Sequence, residues 1–148
     1  MLKSFKALAV SSFLACVPFA AQAGSDQQKT VEEVLVIVSS QSRETQGMAM
    51  VLSNTMAQKG AKVNVLLCDR AGDLALKSYE AEPLKPKNVT PGQMLRALIK
   101  QGGSAKVCAL YLPNSGHSKD DLIEGVGVAM PPEMADQMLD PDIRTFSF

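Results

Sequence analysis

Two thiols hold most of the reactive potential of this sequence once its first segment is set aside. Cys68 stands in Leu67-Cys68-Asp69-Arg70 and Cys108 in Val107-Cys108-Ala109-Leu110. As thiolates they are nucleophiles, soft ligands and sulfur acceptors, with a reactivity set by pKa and access. Beside Cys68, Arg70 favours the thiolate and Asp69 opposes it. A cysteine in an apolar strand is commonly a small buried hydrophobe, so each thiol also has a purely structural reading. His117 is the sole histidine and lies in the polar run Asn114-Ser115-Gly116-His117-Ser118, where it reads as solvated. No serine-type triad accompanies it. Two cysteines and one histidine fall short of a structural zinc set. Met130, Met134 and Met138 recur every four residues. Their thioethers would suit Cu(I), yet apolar residues at helical spacing read first as core or subunit interface. We expect no metal and no cofactor. Ser39, Ser40 and Arg43 lead into a helix N-terminus, which favours anions. With Cys68 they are the candidate ligand-binding residues.

The first residues carry a separate message. Lys3 and Lys6 precede an apolar run from Ala7 to Ala20, and Ala21-Gln22-Ala23 forms an A-x-A cleavage site. This is the three-part pattern of an export signal. The apolar run is too short to cross a bilayer comfortably, which takes about 20 residues. A lipoprotein would use Cys16, but Phe13 stands where the usual Leu of such a site belongs. Cleavage after Ala23 is therefore expected, with a periplasmic product of 125 of the 148 residues, enough for one domain with a real core. Cys16, Lys3 and Lys6 leave with the signal. The fifteen basic residues fall to 13 against fifteen acidic ones, a net charge of −2. Without a basic patch, nucleic acid is not an expected partner. No later segment is apolar enough to span a membrane. The two remaining cysteines are too few for a disulfide scaffold.

The elements that must position these groups are legible along the chain. Gly24 to Glu32 reads as a flexible arm and 33–148 as one α/β domain. Val34 to Val38 is a β-branched run, hence a strand buried on both faces. Glu44 to Lys59 has helical spacing, with Met48, Val51, Leu52, Thr55 and Met56 expected inward and Gly60 as the stop. Val63 to Leu67 is the second strand, completing a βαβ unit. Ala71 to Tyr79 reads as a short helix. Thr90, Pro91 and Gln93 are an N-cap, a first helical residue and a capping-box partner for a helix to Gln101, with Met94, Leu95, Leu98 and Ile99 inward. The third strand starts near Ala105 and runs through Cys108 to Leu110. Ser118 caps a short helix containing Leu122 and Ile123, and Val126 to Met130 is the fourth strand. Pro131 opens a helix with Met134, Ala135, Met138 and Leu139 inward, and Thr145 to Phe148 is the last strand.

Five strands alternating with helices predict a three-layer, flavodoxin-like sandwich around a mostly parallel sheet, with strand order 2-1-3-4-5. That order puts the first strand between the two cysteines. At about 4.8 Å per strand they would lie about 10 Å apart, beyond the 7 Å or so a disulfide tolerates, and would not pair.

Val107-Cys108, followed by Asp121-Leu122-Ile123-Glu124-Gly125-Val126, resembles the DsrE/DsrF-like family of small sulfur-relay proteins. The Val34 to Val38 strand and the Gly60 stop before Val63 also fit, and the resemblance covers roughly Glu33 to Phe148. It implies a flavodoxin-like fold and homo-oligomers, commonly trimers or hexamers. It also implies that Cys108 is the catalytic residue, taking up sulfane sulfur as a persulfide and passing it between a donor and an acceptor protein, a sulfurtransferase-like role. The alternative is a non-catalytic periplasmic module that binds a small anion or a protein and keeps both cysteines as structure.

Overall fold

The computed structural model describes residues 31–148. The expected export signal and the expected arm up to residue 30 lie outside the described residues. Five parallel strands form the sheet: β1 (Glu33–Val38), β2 (Lys62–Leu67), β3 (Ser104–Val107), β4 (Val126–Val128) and β5 (Ile143–Ser147). Helices α1 (Arg43–Gln58), α2 (Pro91–Lys100), α3 (Tyr111–Ser115) and α4 (Pro131–Leu139) connect them, with 3-10 turns at Asp69–Ala75 and Lys119–Asp121. The α/β sandwich is as the sequence predicts.

The strand order is not. It is β4-β3-β2-β1-β5 rather than 2-1-3-4-5. Crossovers between parallel strands are right-handed. The chain therefore steps from β1 through β2 and β3 to β4 in one direction and lays α1 and α2 on a single face. It then doubles back through α4, on the other face, to set β5 beside β1. The periodicity of a strand identifies it as buried without naming its neighbour. The order is therefore decided by tertiary packing and not by local pattern.

On the first face, Val34, Val36, Val38, Val63, Val65 and Leu67 pack against Met50 of α1 and Leu95 and Leu98 of α2. The second face holds a smaller cluster of Leu35, Leu66 and Ala129 under Met134 of α4. Thr90 and Gln93 form the expected capping box, with Thr90 Oγ1 accepting from the Gln93 N–H at 3.2 Å and Gln93 Oε1 accepting from the Thr90 N–H at 2.8 Å. Asn54 ties α1 to α2 by donating to the Met94 carbonyl at 3.1 Å.

Two helix faces differ from expectation. In α1 the buried residues are Gln46, Gly47, Ala49, Met50 and Ser53, whereas Met48, Val51 and Leu52 are 54%, 46% and 40% exposed. Small residues face inward because neighbours come close. A Cβ at Gly47 would run into the Leu84 side chain. In α4 only Met134 is buried, while Ala135, Met138 and Leu139 are exposed. β3 also ends at Val107, before Cys108, and the chain turns into α3. The Ser118 helix is a single 3-10 turn, with Leu122 and Ile123 buried just beyond it.

Candidate functional site

The carboxyl ends of β2 and β3 carry the two cysteines, one residue past each strand. The ladder continues through their amides. The Cys68 N–H donates to the Val38 carbonyl and the Cys108 N–H to the Leu67 carbonyl, each at 2.8 Å. Since Leu67 pairs with Val107, the next pair in register is Cys68 and Cys108. The expected 10 Å separation is thus corrected: β2 neighbours β3 directly, and both thiols are free. Burial is the main force that pushes the Cys68 thiol up to about 12, helped by the adjacent Cys108 thiol and by Asp69. Cys68 is therefore a neutral thiol at neutral pH.

Cys108 is half-buried and opens onto a cleft of about 880 Å³. The local sequence builds that cleft in three moves. Asp69 takes the left-handed φ of 48°, which a short polar side chain tolerates, and so turns β2 into the 3-10 segment that presents Arg70 and Asp73. After Cys108 the Tyr111 N–H donates back to the Cys108 carbonyl at 2.9 Å, ending the strand and starting α3. Gly72 leaves room for the Tyr111 ring, since a Cβ there would overlap it. Tyr111 is buried and donates its hydroxyl to Asp73 at 2.7 Å. Burial and this carboxylate push the phenol well above its ordinary range. The His117 ring stacks on Tyr111 with centroids 6.5 Å apart, and its Nδ1 lies 4.0 Å from Asp121. Tyr79, Ser78, Asn114 and Ser115 complete the wall. Arg70, exposed, brings positive charge close enough to act on Tyr111.

The candidate anion residues lie elsewhere. Ser39 and Ser40 sit at the end of β1, and the strand order reverses between β1 and β5. Their amides donate to the Phe148 carbonyl at 2.9 and 3.3 Å, and Ser40 Oγ accepts from the Ser42 N–H at 3.1 Å. Arg43 pairs with Glu82 at 3.1 Å and Glu44 at 3.2 Å. None of the three lines the Cys108 cleft, although the Arg43 charge reaches Tyr79 on its wall. Cys68 stands beside Cys108, just behind the lining. Sequence reasoning missed Asp73, Tyr79 and Tyr111 and set His117 aside. Only Tyr111 carried a signal, one helical turn after the cysteine. Among the described residues no cluster of three or more His, Cys, Asp or Glu is placed to hold a metal.

The arrangement can hold a small ligand against one accessible sulfur, flanked by hydroxyls and one guanidinium. This chain is similar in fold to the ychN protein of E. coli. The two share 22% identity at a TM-score of 0.65, over 79% of this chain and 98% of the other. A protein of unknown function from Methanobacterium thermoautotrophicum, MTH1491, aligns at 16% identity and a TM-score of 0.60, over 78% and 98%. At these identities the likeness is one of fold. No protein-family model and no curated protein matches the chain.

Proposed function

We propose that this protein is an exported, DsrE/DsrF-like sulfur carrier that takes up sulfane sulfur on Cys108 as a persulfide and hands it to a partner thiol. The observation that carries this reading is the placement of Cys108, half-buried at the end of β3 on the wall of an open cleft. Had β3 continued to Leu110, the thiol would have been covered. The turn into α3 is what opens it. The fold shared with ychN and MTH1491, both DsrE/DsrF-like, supports the family resemblance.

In the uptake step the Cys108 thiolate attacks the outer sulfur of a donor persulfide. The donor S–S bond breaks and the donor leaves as a thiolate. Delivery is the reverse exchange, with the acceptor thiolate attacking the outer sulfur on Cys108. The carrier performs no net redox change. Arg70 and the Ser78 and Ser115 hydroxyls on the cleft wall supply positive charge and donors for the persulfide anion. Homo-oligomerisation belongs to the same proposal, supported by the outward Met48, Val51 and Leu52. So does a periplasmic setting, in which donor and acceptor are other exported proteins.

Brief treatment of the mature protein with polysulfide, followed by intact mass under non-reducing conditions, tests the reading. Wild type and Cys68→Ser are expected to gain one sulfur atom, and Cys108→Ser none. A native wild type that gains nothing, and whose Cys108 is labelled only after denaturation, overturns it.

A further inference from the structure

Two cysteines in register on neighbouring strands are more than a carrier needs. Neighbouring strands run about 4.8 Å apart, inside the Cα separation of about 4.4–6.8 Å that a disulfide bridges. Both residues follow directly on the strand pair Leu67 and Val107, and the Cys108 N–H still donates to the Leu67 carbonyl at 2.8 Å, which holds the two chains side by side at this point. Cys68 packs towards the α4 side with Leu35 and Leu66, and Cys108 towards the rim of the other side. At the sheet end the two thiols still act on one another. Cys108 lines the cleft and Cys68 does not, so the neighbouring thiol lies on the side of Cys108 away from the cleft.

We infer that Cys68 is the resolving thiol of Cys108, closing an intramolecular disulfide that expels the carried sulfur as hydrosulfide when no acceptor takes it. The inference rests on the persulfide reading of Cys108. Cys68 loses its proton to water and attacks the inner sulfur, Cys108 Sγ. The Cys108 sulfur–sulfur bond breaks, and its electron pair leaves with the outer sulfur as HS⁻. The sulfane sulfur is reduced to sulfide, and the two electrons come from the cysteine pair, which ends as a disulfide. Reopening that disulfide takes two electrons from a thiol reductant. The same chain would then carry sulfur when a partner thiol is at hand and release sulfide when none is. Holding Cys68 as a neutral thiol slows closure, since the thiolate is the attacking form.

The experiment loads mature wild type, Cys68→Ser and Cys68→Ala with polysulfide, removes the excess, and follows intact mass and released sulfide. Wild type is expected to lose its added sulfur, release one sulfide per chain and finish two hydrogen atoms lighter. Both variants should keep the sulfur at least about tenfold longer, as removal of a resolving thiol requires. A second arm needs no variant. Wild type oxidised with diamide and digested with trypsin should join the peptides Val63–Arg70 and Val107–Lys119 through a disulfide. Loading with equal persistence in all three proteins, and no joined peptide, overturns the inference and leaves the carrier intact. Joined peptides without any loading overturn the carrier reading, and the resolving step with it, but leave the pair.

Discussion

At the scale of single residues the two thiols stand in different surroundings. Cys108 opens onto the cleft, whereas Cys68 is pushed up to about 12 by burial, by Cys108 and by Asp69. A group whose folded pKa lies above its unfolded value favours the folded state below the unfolded value. That advantage is lost as pH rises through the folded value. For Cys68 the window runs from the ordinary 9.0 up to about 12. Wild type is thus expected to lose urea resistance faster than Cys68→Ala as pH climbs through this window. Tyr111 contributes a loss of the same sign in both proteins, so the difference isolates Cys68. Parallel curves would mean that the folded environment does not hold Cys68 protonated. The thiols and their strand-end positions were legible in the sequence. Their adjacency was not, because it depends on which strands are neighbours, and no local pattern records that.

At the scale of elements, the cleft exists because three short segments are tied together. The Tyr111 hydroxyl joins α3 to the 3-10 turn through Asp73. The Lys77 N–H donates to the Asp121 carbonyl, and the Ile123 N–H to the Ala75 carbonyl, each at 2.8 Å. Tyr111→Phe keeps the ring over Gly72 and removes only the hydroxyl. It should cost about 1.5–3 kcal/mol by urea denaturation, the net worth of a hydrogen bond to a charged group. An unchanged midpoint would show that water replaces the tie at no cost. The strands and the Thr90 cap were readable in advance, since β-branched runs and capping boxes are local chemistry. The facing of α1 was not. Its hydrophobic stripe of Met48, Val51 and Leu52 points outward, and the inward side sets Met50 and Gln46 among the small residues Gly47, Ala49 and Ser53, which let neighbours come close.

At the scale of the whole molecule, that outward stripe is the feature a lone chain leaves unexplained. Leu52→Asp places a charge in its middle without touching the cleft. In sedimentation, wild type is expected to run as a homo-oligomer and the variant as a smaller species. A wild type that sediments as a single chain, or a variant of unchanged mass, removes the oligomer from the proposal. The crowded α1 and α2 face and the thin α4 face are two outcomes of one rule. Right-handed crossovers keep helices together while the chain advances and switch face when it turns back.

The sequence by itself determined the α/β class and the position of every strand to within a few residues. Both rest on local periodicity, capping and residue chemistry. Tertiary structure alone decided that β2 stands between β1 and β3, and with it that Cys68 is the neighbour of Cys108. It also decided that β3 stops before Cys108, that Tyr111 and Asp73 wall the cleft, and that Ser39 and Ser40 bind Phe148. These are long-range pairings. Their energies depend on which surfaces meet, and a segment carries no record of the surface it will meet.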